Sequence, residues 1–310
     1  MSNVAYVFPG QGSQQPGMGR ALAETYPIAR ETFAEADEIL GFALSALCFD
    51  GPAESLTETT NAQPAILTTS VAALRALRAA RPELPQPCCT AGHSLGEYSA
   101  LVASGALAFA DAVRLTRLRG QLMARAGSAQ PGSMAAILKL QDEQVADICR
   151  QAAERSGSPV QVANYNSPGQ VVISGGPAGV AAALELVKSA GGRAMPLAVS
   201  VAAHSVLMAP AAAEFAGHVA ETPFKDPQLT VIGNVHALPL TSAADIRAEL
   251  IAQLTSPVQW TSSVACMAAT GASTVIEIGP GNVLTGLTKR INPALTTASV
   301  AEPAHIKGLA

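Results

Sequence analysis

The chain has 310 residues, 49% of them hydrophobic and 4% aromatic, with a formal net charge of -4; that is enough apolar material for one large α/β domain carrying an insertion. So small a charge, with no long basic run, excludes nucleic acid and anionic membranes as main partners. Five cysteines (Cys48, Cys88, Cys89, Cys149 and Cys266) are odd in number and lack a Cys-x-x-Cys pair, which excludes a disulfide framework and a zinc site and points to a reducing compartment.

Val4 to Phe8 is a strand-length apolar run, too short for a signal-peptide core, and it predicts a cytoplasmic protein. It runs into a glycine-rich turn, Pro9-Gly10-Gln11-Gly12-Ser13-Gln14. Helical patterns then alternate with short strands to about Ala126, which predicts a mainly parallel sheet. Pro64 to Arg81 reads as a buried helix. Pro82, Pro85 and Pro87 break the chain before a short strand at Cys88 to Ala91.

After Gly132 the order changes to strand (Met134 to Leu140), helix (Glu143 to Arg155), strands (Val160 to Ala163 and Val171 to Ser174), helix (Val180 to Ala190) and strand (Ala194 to Val199). This βαββαβ order predicts a ferredoxin-like subdomain over 128–200, inserted into an α/β domain made of 1–127 and 201–310. The uncharged run from Ala194 to Ala213 is interrupted by Pro196, Ser200, His204, Ser205 and Pro210, so it reads as a buried strand and a helix, not a membrane span. Thr274 to Ile278 returns to the large sheet.

Gly92-His93-Ser94-Leu95-Gly96 is a Gly-x-Ser-x-Gly sequence between a strand and a helix beginning near Glu97, the setting in which a sharp turn presents a serine hydroxyl as a nucleophile. The bland alternative is an ordinary glycine-rich turn. A serine needs a base, for which histidine is best matched. His93 adjoins the serine and is expected to point away, His218 lies in a helix, His236 in a loop and His305 in the terminal tail. His204 ends an apolar strand, Ala198 to Ala203, at the sheet rim, and is the candidate base, with a structural histidine at a helix start as the alternative. The acids between them, including Asp142, Asp147, Glu154 and Glu185, fall on solvated helix faces, so a Ser-His dyad oriented by a carbonyl is expected. The Gln11 turn and the Leu95 amide are the candidate oxyanion donors.

The helix from Asp111 to Ala126 sets Arg119 about 40° from the apolar position Leu115, whereas Arg117 faces the other side. A buried guanidinium requires a partner, either a carboxylate of the protein or one carried by a substrate. Gln15 stands where a dinucleotide fingerprint would have its third glycine, and no Walker, His-Glu-x-x-His or EF-hand sequence occurs; neither cofactor nor metal is expected.

With these residues, and with Asn164-Tyr165-Asn166-Ser167-Pro168-Gly169-Gln170 and Glu277-Ile278-Gly279-Pro280-Gly281, nearly the whole chain resembles the malonyl-CoA:acyl carrier protein transacylases and the related acyltransferase domains of polyketide synthases. The resemblance implies a hydrolase-like α/β core with a ferredoxin-like insertion and a site in the cleft between them. It implies Ser94 as nucleophile, His204 as base, Gln11 and Leu95 as oxyanion donors, and Arg119 as partner of a malonyl carboxylate. Gln253 would orient the histidine through its main-chain carbonyl, and Met123 and Asn166 would line the pocket. Ala202 and Ala203 replace the proline and small or aromatic residue the family often has, which would widen the pocket. Malonyl-CoA and holo acyl carrier protein are the implied partners of a monomer serving fatty acid or polyketide synthesis. A hydrolase releasing carrier-bound acyl groups and a silent carrier-binding component are the alternatives.

Overall fold

Val4–Phe8 (β1) is buried along its whole length, as a strand covered by helices on both faces must be. The computed structural model describes residues 3–197, 199 and 201–309. β1 is followed by Cys89–Gly92 (β2), Ser133–Leu138 (β3), Val160–Ser167 (β4), Gln170–Gly175 (β5), Arg193–Pro196 (β6), Thr230–Ile232 (β7), Pro239–Leu240 (β8), Thr274–Ile278 (β9) and Thr296–Val300 (β10). One sheet has the order β10-β9-β1-β2-β7-β8. Its pairs are parallel except the edge pair β7–β8. The other, β4-β5-β3-β6, is antiparallel throughout, the order that a βαββαβ unit adopts.

Each sheet has its own core. Helices pack on one face of the large sheet around Phe8, Leu22, Phe33, Leu74, Tyr98 and Phe215, while Trp260, Met267 and Leu287 cover the other. A separate cluster including Ile137, Val145, Ile148, Ile173 and Val187 fills the space between the antiparallel sheet and its helices Asp142–Ser156 and Pro177–Ser189. No described helix is long and apolar enough to cross a membrane.

Two elements differ from the sequence expectation. The helix expected to start at Pro64 spans Thr59–Ala80 and contains Pro64. Proline cannot donate to the carbonyl four residues back; that carbonyl, on Thr60, accepts from Arg117 Nη1 at 3.0 Å instead. Arg117, expected on the far side of its helix, is thereby used to repair the break.

The second difference bears on the site. β6 ends at Pro196, and the described residues between it and His204, 197, 199 and 201–203, are not strand; Ala198 and Ser200, within the expected strand, lie outside the described residues. Leu197 and Val199, exposed to 39% and 41%, line a cavity. Their apolarity reflects that wall and not a sheet face, which is why a strand pattern failed to become a strand.

Candidate active site

Ser94 follows β2 and precedes the helix Gly96–Ala103. Its φ is 50°, a left-handed conformation that costs a non-glycine residue on the order of 1 kcal/mol or more. Close packing enforces the turn. A Cβ on Gly92 would lie 1.9 Å from the Gly96 carbonyl carbon, and one on Gly96 would lie 2.0 Å from the Phe8 oxygen; only glycine fits either place. Asn234 clamps the turn from the side, its Oδ1 accepting from Ser94 N at 2.7 Å and its Nδ2 donating to the Gly92 oxygen at 2.7 Å.

Ser94 Oγ lies 2.8 Å from His204 Nε2 and accepts from Arg119 Nη2 at 3.1 Å. The guanidinium can only donate, so the hydroxyl proton is directed to Nε2. On the other ring edge, Nδ1 donates to the main-chain oxygens of Gln253 (2.8 Å) and Ser256 (3.2 Å). Two carbonyls at Nδ1 require the proton there and leave Nε2 a lone pair. Among the described residues no carboxylate bonds the imidazole, and the acids at Asp142, Asp147, Glu154 and Glu185 stand on the helices of the antiparallel unit.

Arg119, 2% exposed, sits on the helix Phe109–Ala129. Its Nη1 donates to Gln63 Oε1 at 2.8 Å and its Nη2 to Gln253 Oε1 at 2.9 Å. Among the described residues no carboxylate forms an ion pair with it, and its Nε is buried without a partner. A cation held by neutral amides is poorly compensated in a low-dielectric setting and attracts an anion. Burial, and then the Arg119 charge, pull the His204 pKa down to about 3. The ring is therefore neutral near pH 7.

A cavity of about 750 Å³ opens over these groups, with Gln11, Ser94, Leu95, Arg119, Met123 and His204 among its lining. The N–H groups of Gln11 and Leu95 have no hydrogen-bond acceptor among the described residues and stand free to bind an oxyanion. Ala203 also lines the cavity, whereas Ala202 is fully buried. Asn166 does not line it; its Oδ1 accepts from His93 Nε2 at 2.8 Å. His93, expected to point away, faces the cavity wall and the antiparallel unit, because Asn166 and the Trp260 ring, 5.6 Å away, take it there.

Beneath the turn lies a feature that sequence reasoning missed. Glu97 is fully buried, and Gln253 Nε2 donates to its Oε2 and to the Ser94 oxygen. Burial and the nearby Glu249 charge push Glu97 well above the ordinary carboxylate range. Burial raises Glu249 too, but its Oε1 accepts from the N–H groups of Asn234 and Val235 at 2.6 and 2.7 Å, bonds that favour its ionised form, whereas Glu97 is raised further and is the member that keeps the proton. Its folded pKa is raised, so this group's contribution to stability is full below the unfolded value of about 4.5 and is lost as pH rises toward the folded one. Glu97→Gln keeps the acceptor for Gln253 without the titration. Its thermal midpoint relative to the parent is expected to rise between about pH 4.5 and pH 7.5; differential scanning calorimetry reads this, and a gap that narrows would assign the proton elsewhere.

Residues 5–308 match the family model of the acyl transferase domain. The malonyl CoA-acyl carrier protein transacylase of Salmonella typhimurium is 49% identical over 307 residues, 99% of this chain and 98% of the relative. Among solved structures, an acyl carrier protein S-malonyltransferase from Vibrio cholerae aligns with a TM-score of 0.95 at 50% identity, covering 99% of each chain. A malonyl-transacylase in complex with its type II PKS acyl-carrier protein aligns with a TM-score of 0.94 at 45% identity, over 99% of this chain and 98% of that one. A serine turn, a neutral imidazole and an unpaired arginine over one cavity, together with these full-length matches, lead to one conclusion: the chain belongs to the acyl transferase domain family, among the malonyl CoA-acyl carrier protein transacylases.

Proposed function

We propose that this enzyme transfers a malonyl group from malonyl-CoA to the phosphopantetheine thiol of holo acyl carrier protein through an ester on Ser94. The observation that carries this is Arg119, a buried cation with no carboxylate partner among the described residues, 3.1 Å from the Ser94 hydroxyl. A malonyl carboxylate on that fork brings its thioester carbon to Oγ. His204 Nε2 takes the hydroxyl proton as the Oγ–C bond forms, and Gln11 and Leu95 N–H groups receive the oxyanion. The C–S bond then breaks and coenzyme A leaves as a thiol with the proton from Nε2. In the second half-reaction Nε2 takes the proton of the carrier thiol, a new C–S bond forms, and Ser94 regains its proton as the ester breaks.

Gln253 orients His204 through its carbonyl and Met123 bounds the acyl pocket, while Asn166 acts behind His93. The catalytic unit is 1–127 with 201–310, the insertion is 128–200, and the acyl group lies between them. The enzyme works as a cytoplasmic monomer without metal, cofactor, nucleic acid or membrane. It supplies malonyl-carrier protein for fatty acid or polyketide synthesis; the neighbour solved with its type II PKS acyl-carrier protein supports the second.

Brief exposure to malonyl-CoA followed by intact-mass measurement is expected to give one malonyl adduct, mapped to the Ser94 peptide. Chasing with holo carrier protein should discharge the adduct far faster than water does. An adduct elsewhere would overturn the nucleophile assignment, and equal discharge by water would make the enzyme a hydrolase.

A further inference from the structure

His204 stands at φ 59°, an uncommon conformation for a bulky side chain that persists where surrounding bonds over-determine it. Those bonds come from the other sheet. Gln161, on β4, is half-buried. Its Nε2 donates to the main-chain oxygens of His204 and Thr255, both at 3.1 Å. Its Oε1 accepts from Val206 N at 3.1 Å. One amide thus grips both sides of the His204 turn and ties that turn to the segment presenting the Gln253 and Ser256 carbonyls to Nδ1.

The platform beneath is firm. β4 is docked on the same segment by Val258 N to Ala163 O and Tyr165 N to Val258 O, both 2.9 Å. Gln161 neither lines the cavity nor bonds Ser94, so its influence on chemistry passes through the His204 turn and the segment whose carbonyls hold Nδ1.

We propose that Gln161 is a positioning residue that sets the imidazole's place between Ser94 and its carbonyls, an inference that rests on the acyl transfer proposed above. The geometry asks for two donors and one acceptor on a long stem, which a primary amide supplies. Methionine has the length without the polar atoms. Glutamate has the shape, but once ionised it sets an acceptor against two carbonyl oxygens.

Gln161→Met and Gln161→Glu are each expected to lower kcat for malonyl transfer about 10- to 100-fold at neutral pH, the range that a misplacement near 1 Å produces, with KM for malonyl-CoA changed by no more than about twofold. The His204 Nδ1–H proton resonance should shift or broaden in both, because its carbonyl partners are no longer tied to the ring's turn. Calorimetry on each variant separates this from loss of fold; should Gln161→Met fail to fold, Gln161→Glu, which keeps the bond to Val206, carries the test. Parent-like kcat in the folded variants, a loss confined to KM, or a fallen kcat with an unmoved resonance would each overturn the proposal. If the parent itself forms no Ser94 adduct, the proposed function has failed; if the parent transfers normally and so do the variants, only the role of Gln161 has.

Discussion

His204→Ala is expected to slow malonylation of Ser94 by about 10²- to 10⁴-fold, the range of a lost general base, while malonyl-CoA still binds through Arg119. The expectation rests on how fully the ring is committed: Nδ1 is held by two carbonyls and Nε2 receives the only proton Ser94 can give. Burial and Arg119 keep the ring neutral down to about 3. The base form therefore persists below the ordinary value of about 6.5, and the parent's kcat/KM should not show the usual histidine limb between about pH 7 and pH 5. Stability carries the matching sign. The unfolded chain protonates this histidine below about 6.5 while the folded one does not, so its contribution falls as pH drops through that window toward about 3. Quenched-flow labelling of parent and variant across that range measures the rates, and calorimetry the stability. A variant that labels at the parental rate would remove His204 from the chemistry.

Arg119→Ala is expected to cut kcat/KM for malonyl-CoA by about 10²- to 10³-fold, in line with truncating one side of a buried charge pair, while acetyl-CoA loading is kept or raised. The asymmetry has a physical source. With no carboxylate among the described residues on it, the guanidinium lowers the basicity of His204, and a bound malonate cancels that field whereas an acetyl group cannot. Removing the arginine therefore deletes the clamp for one substrate and frees the base for the other. Competition between the two thioesters, read by intact mass, reports the ratio directly. An equal loss for both would mean that Arg119 only supports Ser94, Gln63 and Gln253.

Much of this was legible along the chain because its causes are local. The glycines around Ser94 stand where a strand must turn into a helix with no room for a Cβ, and the βαββαβ order predicts the sheet order observed. The inward face of Arg119 followed from helical spacing alone. Proline rules misplaced the start of the helix at Pro64, since the repair comes from Arg117 on another helix. The strand expected before His204 failed because apolar residues that line a cleft resemble those that line a sheet.

Five residues were illegible for a single reason: Gln63, Glu97, Asn234, Glu249 and Gln161 are polar side chains whose partners are distant in sequence. Asn234 reaches Ser94 across 140 positions and Gln253 reaches Glu97 across 156. By itself the sequence determined the glycine turn around Ser94, the order of elements and the direction of the arginine, each set by backbone sterics or periodicity within a few residues. Only the tertiary structure decided which amides hold that arginine, which acid keeps its proton and how the imidazole is aimed, because desolvation and hydrogen-bond geometry exist only once distant segments share a dry interior.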